Sequence, residues 1–175
     1  PGMDLFRAIE AKLGRPAIIA EDLGSLTPSV LQLLKDSGFP GMKVLQFAFD
    51  ARESSNYLPH TYPTNCVVYT GTHDNDTTRG WYHEVGKDAR DFAKEYMCKE
   101  RLDEDTLTKD FIAMAMSSVA DLCVIPMQDY LNLGSEARIN IPSTLGGNWV
   151  WRMKKGQFDK AIVKEIKRVT ELYGR

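Results

Sequence analysis

Short apolar runs that turn abruptly polar punctuate this chain. Ala17-Ile18-Ile19-Ala20 gives way at once to Glu21-Asp22-Leu23-Gly24, and Cys66-Val67-Val68-Tyr69 gives way to Thr70-Gly71-Thr72-His73-Asp74-Asn75-Asp76. Met42 to Ala48 and Leu122 to Ile125 are also short and apolar, so strands are predicted over 17–20, 42–48, 66–70 and 122–125. Between them the spacing becomes helical. Val30, Leu31, Leu33 and Leu34 form one stripe, after a Thr27-Pro28 start and before a Gly38 stop. Val85, Ala89, Phe92, Ala93 and Tyr96 form another, and Leu107, Phe111, Met114, Ala115 and Val119 a third. Leu5, Phe6, Ile9 and Leu13 predict an opening helix ending near Gly14, and Phe158, Ile162, Ile166 and Val169 a closing one. Strands alternating with helices predict an α/β fold with a parallel sheet.

Two stretches lack either period. Asp50 to Asn65, with Ser54-Ser55-Asn56, Pro59 and Pro63, reads as a long loop, as does Gly134 to Asn148. Loops of that length in a compact domain are usually functional or mobile. At 175 residues the chain is long enough for one domain with a real core. A net charge of −2 argues against an electrostatically driven nucleic-acid or membrane partner. No apolar run approaches the roughly 20 residues that span a bilayer. Cys66, Cys98 and Cys123 form no CxxC pair, which argues against zinc; Cys66 and Cys123 read as small buried hydrophobes in a reduced, intracellular protein.

The chemistry gathers where the strands end. A buried strand running into imidazole, carboxylate and amide groups is the pattern of a catalytic strand end in an α/β barrel. Two acidic strand ends suggest paired carboxylates, the equipment of glycoside chemistry. Plainer readings stand beside this one. Glu21 could be a structural ion-pair partner, and His73 to Asp76 a polar turn capping the next helix. Glu21, Asp22, Asp74 and Asp76 could serve a divalent-metal hydrolase, although no loop has EF-hand spacing. Trp81, Tyr82 and Trp149 are candidate aromatic faces for a sugar, though an aromatic is more often core than platform.

Five segments carry a resemblance. Ala20-Glu21-Asp22-Leu23-Gly24, Gly41 to Phe49, Leu58-Pro59-His60, Tyr69 to Thr78, and Ser135 to Pro142 with Gly147-Asn148-Trp149 occur in order. Together they resemble the second half of the amylomaltase, or 4-α-glucanotransferase, family, over essentially the whole chain. The resemblance implies the C-terminal half of a TIM (β/α)8 barrel, strands five to eight with their helices, as a single partial catalytic domain over residues 1–175. It implies transfer of α-1,4-glucan segments from a maltooligosaccharide to glucose or another glucan, by a retaining double displacement without metal or organic cofactor. A cytoplasmic setting is expected, or a plastid one in a plant or alga, since a transit peptide would lie upstream of Pro1.

Carried over residue by residue, Glu21 falls on the family's acid/base. That role needs a raised pKa and therefore a partly desolvated pocket. Asp74 falls on the transition-state stabiliser, and His73 on a group that bonds a sugar hydroxyl in the same subsite. Asp22, Asn75 and Asp76 would orient these groups. Phe47 and Asn140 match substrate contacts, and His60 either shapes the acceptor side or locks its loop. The family nucleophile is an aspartate in an Arg-x-Asp-His segment, and no such segment exists here; neither Asp4 nor Asp50 fits it. The expectation is a fragment lacking its nucleophile and the N-terminal half of the barrel, inactive alone and exposing two unpaired sheet edges. The alternative is a non-catalytic glucan-binding scaffold.

Overall fold

The computed structural model describes residues 2–49 and 55–175. Three strands, β1 (Gly41–Val44), β2 (Cys66–Tyr69) and β3 (Leu122–Val124), form one parallel sheet in that order. The register pairs Gly41 with Cys66 and Val67 with Leu122. Among the described residues seven α-helices accompany it: α1 (Gly2–Leu13), α2 (Pro28–Ser37), α3 (Thr78–Glu84), α4 (Lys87–Tyr96), α5 (Leu107–Ser117), α6 (Met127–Tyr130) and α7 (Lys160–Leu172). The alternation is that of an α/β fold. Gly38 adopts φ +67° and sends its N–H to the Lys35 carbonyl, the left-handed stop expected after α2. Thr27 occupies the N-cap position, but its side chain makes no capping bond and its hydroxyl pairs with Ser29 instead. Phe158 lies just ahead of α7, outside the helix, and is half exposed.

The expected strand over Ala17 to Ala20 is absent from the sheet. That segment runs beside β1 and donates one backbone bond, Ala20 N–H to the Pro40 carbonyl at 2.9 Å. The next bond comes from a side chain: Asp22 Oδ1 accepts from the Met42 N–H at 2.5 Å. A carboxylate has taken the place of a main-chain carbonyl, so the ladder stops. Gly41 makes this possible, because a Cβ there would meet Asp22 Oδ2 at 2.5 Å.

The strand expected over Met42 to Ala48 is also shorter. After Val44 the chain tightens into a 3₁₀ turn over Leu45–Phe47, closed by Ala48 N–H to the Leu45 carbonyl at 2.9 Å. This turns Leu45, Ala48 and Phe49 inward together, while Phe47 faces out. Continued alternation would have placed Leu45 and Phe47 on one face. Phe49 is the centre of the core, with ring centroids 5.6–6.1 Å from Trp81, Phe92, Tyr96 and Phe111. The flanks are different. Neither α1 nor α2 contains a buried residue, and Leu122 and Val124 of β3 are exposed.

Candidate active site

Parallel strands deliver their following loops to one end of the sheet. There a cleft of about 1090 Å³ is lined by Glu21, Phe47, Tyr57, His73, Asp74 and Arg138, among others. Glu21 and Asp74 therefore face the same space. Asn75 and Asp76 also line it, and Asn140 reaches it through Asp74.

The Asp74 loop is fixed from several sides. Within it, Asn75 Oδ1 accepts from the Thr72 N–H at 2.8 Å and the Thr72 hydroxyl at 2.9 Å. Asp76 accepts from the Thr77 N–H at 2.7 Å and from the Ser135 hydroxyl at 2.6 Å. From β1's side, Gln46 Nε2 donates to the Asp76 carbonyl at 2.8 Å, lying so close that a Cβ on Gly71 would meet it at 2.6 Å. From above, Arg138 Nη2 donates to the Asp74 carbonyl at 2.8 Å, and Asn140 N–H to the His73 carbonyl at 3.1 Å. Asn140 Nδ2 donates to Asp74 Oδ1 at 2.6 Å, and His73 Nε2 lies 3.4 Å from the same oxygen. The His73 ring packs against Trp149 at 5.0 Å between centroids. Trp149 holds a left-handed φ of +63° and donates its N–H to the Ile139 carbonyl at 2.7 Å. A bulky residue in that region is strained, and its surroundings hold it there.

Beneath the loop lies Asp129, on α6 and 2% exposed. Its carboxylate accepts from the Thr70 hydroxyl, the Thr78 N–H and the Thr78 hydroxyl. Burial pushes this carboxyl above the ordinary range, and the three donors partly oppose that.

Glu21 stands in a plainer setting. It is exposed, so the desolvated pocket expected of an acid/base is not built by its neighbours here. Asp22, committed to Met42 N–H, fixes the turn that carries it. Phe47 and Tyr57, which also line the cleft, meet edge to face at 5.5 Å. Burial, then the nearby Asp22 carboxylate, raises the Tyr57 phenol above its usual range.

Other candidates fall elsewhere. His60 is outside the cleft, its Nδ1 3.1 Å from the Tyr96 hydroxyl, where it ties its loop to α4. Trp81 is core, and Tyr82 faces the Arg90 guanidinium. Asp4 pairs with Arg7 on α1, and Asp50 lies outside the described residues. Among the described residues no group of three or more His, Cys, Asp or Glu side chains could hold a metal ion. Asp22, Asp74 and Asp76 each accept from different donors rather than converging. Tyr57, Arg138, Gln46 and Asp129 had escaped the sequence reading. Arg138 stood inside a recognised segment, but Asp129 carried no signal.

Comparison with known proteins gives a consistent result. The family described as 4-alpha-glucanotransferase matches residues 1–158. A curated 4-alpha-glucanotransferase of Clostridium butyricum is 50% identical over 100% of this chain and 36% of its own length. One of Solanum tuberosum, described as chloroplastic/amyloplastic, is 45% identical over 100% of this chain and 31% of its own. The solved amylomaltase from Streptococcus agalactiae in complex with acarbose superposes with a TM-score of 0.92 at 37% identity, covering 100% of this chain and 35% of that one. The chain spans about a third of the length of the curated relatives it matches.

Proposed function

The chain belongs to the 4-alpha-glucanotransferase family, and we propose that it forms strands five to eight of a (β/α)8 barrel that transfers α-1,4-glucan segments to glucose or another glucan. The reading is supported by a three-stranded parallel sheet beside whose first strand the Ala17–Asp22 segment runs. Residues 1–175 are then one partial catalytic domain. The aspartate nucleophile comes from a part of the barrel outside these residues, which contain no Arg-x-Asp-His segment.

Each side chain has a task in this reading. The nucleophile attacks the anomeric carbon while Glu21 protonates the departing glycosidic oxygen, and Glu21 then deprotonates the acceptor hydroxyl. Asp74 and His73 bond sugar hydroxyls and favour the oxocarbenium-like state. Asn140, already bonded to Asp74, offers its amide to the donor sugar, and Phe47 an apolar face. Asp22, Asn75 and Asp76 hold these groups in place through the bonds described above. No step calls on a metal or an organic cofactor. Among the described residues no helix is long and apolar enough to cross a membrane; we place the protein in the cytoplasm, or in the plastid if its source is a plant or alga.

The observation that carries the reading is the facing of Glu21 and Asp74 into one cleft at the C-terminal strand ends. Its test is Asp74→Asn in the full-length protein with maltotriose as substrate. Disproportionation should fall by about 10² to 10⁴-fold while maltooligosaccharide binding persists. Near-normal turnover would remove Asp74 from the site. The exposure of Glu21 favours one competing reading, a glucan-binding scaffold, and that reading requires binding with no turnover in the unmodified protein.

A further inference from the structure

Asp129 is the one carboxylate buried among the described residues, and nothing in the mechanism above uses it. Burying a carboxylate is costly unless its oxygens are well satisfied. Here they are, and by residues at two particular places. Thr70 follows the last residue of β2, and its hydroxyl donates to Asp129 Oδ2 at 2.5 Å. Thr78 opens α3; its hydroxyl donates to Oδ2 at 2.8 Å and its N–H to Oδ1 at 2.9 Å. These two threonines are the ends of the Gly71–Thr77 loop that carries His73 and Asp74. One carboxylate, reaching from α6 after β3, therefore sets the width of the loop's neck.

We propose that Asp129 is a positioning residue for Asp74 and His73, acting as a three-donor clamp that closes the neck of their loop from below. The proposal rests on the functional reading of Asp74 given above. Gln46 reaches across as well, its N–H donating to the Thr70 carbonyl at 3.3 Å and its Nε2 to the Asp76 carbonyl, but among the described residues only Asp129 joins Thr70 to Thr78 directly. An asparagine could keep its Oδ1 on the Thr78 N–H and turn its NH₂ to the two hydroxyls, which accept as well as donate, whereas a leucine of the same branching offers none of the three donors a partner. A misplacement on the order of 1 Å can cost a reaction up to about 10²-fold, so the clamp should be felt in the rate rather than in binding.

The test uses the full-length protein with maltotriose. Asp129→Leu should lower kcat by about 10- to 100-fold and change KM by less than about threefold. Made in an Asp74→Asn background, it should add less than about a twofold further loss, because its effect passes through Asp74. A merely structural role predicts the same loss in both backgrounds, which would overturn the proposal. Thr78→Val, which removes one of the three bonds, should show the same pattern as Asp129→Leu with a smaller loss, and Thr78→Ser, which keeps the hydroxyl, should lose least. If Asp129→Leu does not fold, Thr70→Val removes a single donor and carries the same double-mutant test. Hydrogen exchange of Gly71–Thr77 gives a readout independent of turnover: exchange should rise in the clamp variants, and unchanged exchange would refute the clamp. An unmodified protein without disproportionating activity would refute the functional reading instead.

Discussion

Asp74 sits on a loop bonded from the β1 side by Gln46, from below by Asp129 and from above by Arg138 and Asn140, whereas Glu21 sits on a segment tied to β1 by one backbone bond and the Asp22 carboxylate. The two carboxylates share a cleft, but not a degree of preorganisation. A group that stabilises developing charge acts best when it is already in place, because nothing then has to reorganise during the reaction. A proton donor needs a raised pKa, and therefore a neighbourhood that excludes water. The first requirement is met within these residues. The second is not, since Glu21 is exposed and the flanking helices α1 and α2 have no buried residue. On the proposed assignment of roles, the stabilising side is the one built within these residues, and enclosure of Glu21 falls to residues outside them.

Two glycines sharpen this contrast. Gly71→Ala would drive a Cβ into Gln46 Nε2, which is held by the Asp76 carbonyl on the bonded side. Overpacking of this kind costs roughly 1–3 kcal/mol, so the thermal midpoint should fall by at least a few degrees. Gly41→Ala would push into the Asp22 carboxylate, on a segment that two bonds, Ala20 N–H to Pro40 and Met42 N–H to Asp22, hold beside β1. Its stability loss should be smaller, with its main effect on turnover through displacement of Glu21. Equal midpoint losses in a thermal melt would contradict the contrast. A smaller effect is expected of Trp149→Ala, which removes the ring against His73: kcat/KM for maltotriose should fall by about 2- to 10-fold. No change would mean that Trp149 does not support the subsite. The smallest effect is a difference in thiol reactivity. Burial pushes Cys66 and Cys123 up to about 11, while Cys98 is exposed. At pH 8 one thiol should label fast and two slowly, and fast labelling of all three would mean that the sheet beneath Asp74 is open.

How far the sequence could be read follows from where each signal is local. β2 and its polar loop were legible because an apolar run meets a polar cluster within neighbouring residues. Gly38 was legible because a left-handed stop needs only its own backbone. The segment over 17–20 misled, because an apolar run cannot reveal that Asp22 will take the Met42 N–H that a fourth strand needed. The end of β1 misled for a similar reason, since packing around Phe49 overrode alternation. Asp129 was invisible: in Pro126-Met127-Gln128-Asp129-Tyr130 it looks like any helix-surface aspartate, and its partners lie 51 and 59 residues away. Of the candidate site, the carboxylates could be found from sequence, but not the apparatus that holds one of them still. Trp149 and His60 were separated only by tertiary contacts, which brought one to His73 and the other to Tyr96.

The central claim is that Glu21 is the acid/base of a retaining reaction whose stabilising side this chain builds. Its most direct test is chemical rescue of Glu21→Gln in the full-length protein, with α-maltosyl fluoride as donor. Fluoride leaves without protonation, so the covalent glycosyl-enzyme still forms, but its breakdown lacks a base. Turnover of maltotriose should fall by about 10² to 10⁴-fold. Azide, which needs no deprotonation, should restore turnover of the fluoride and yield maltosyl azide of retained α configuration. Near-normal maltotriose turnover, or a slowed variant that azide leaves unchanged, would contradict the assignment of Glu21.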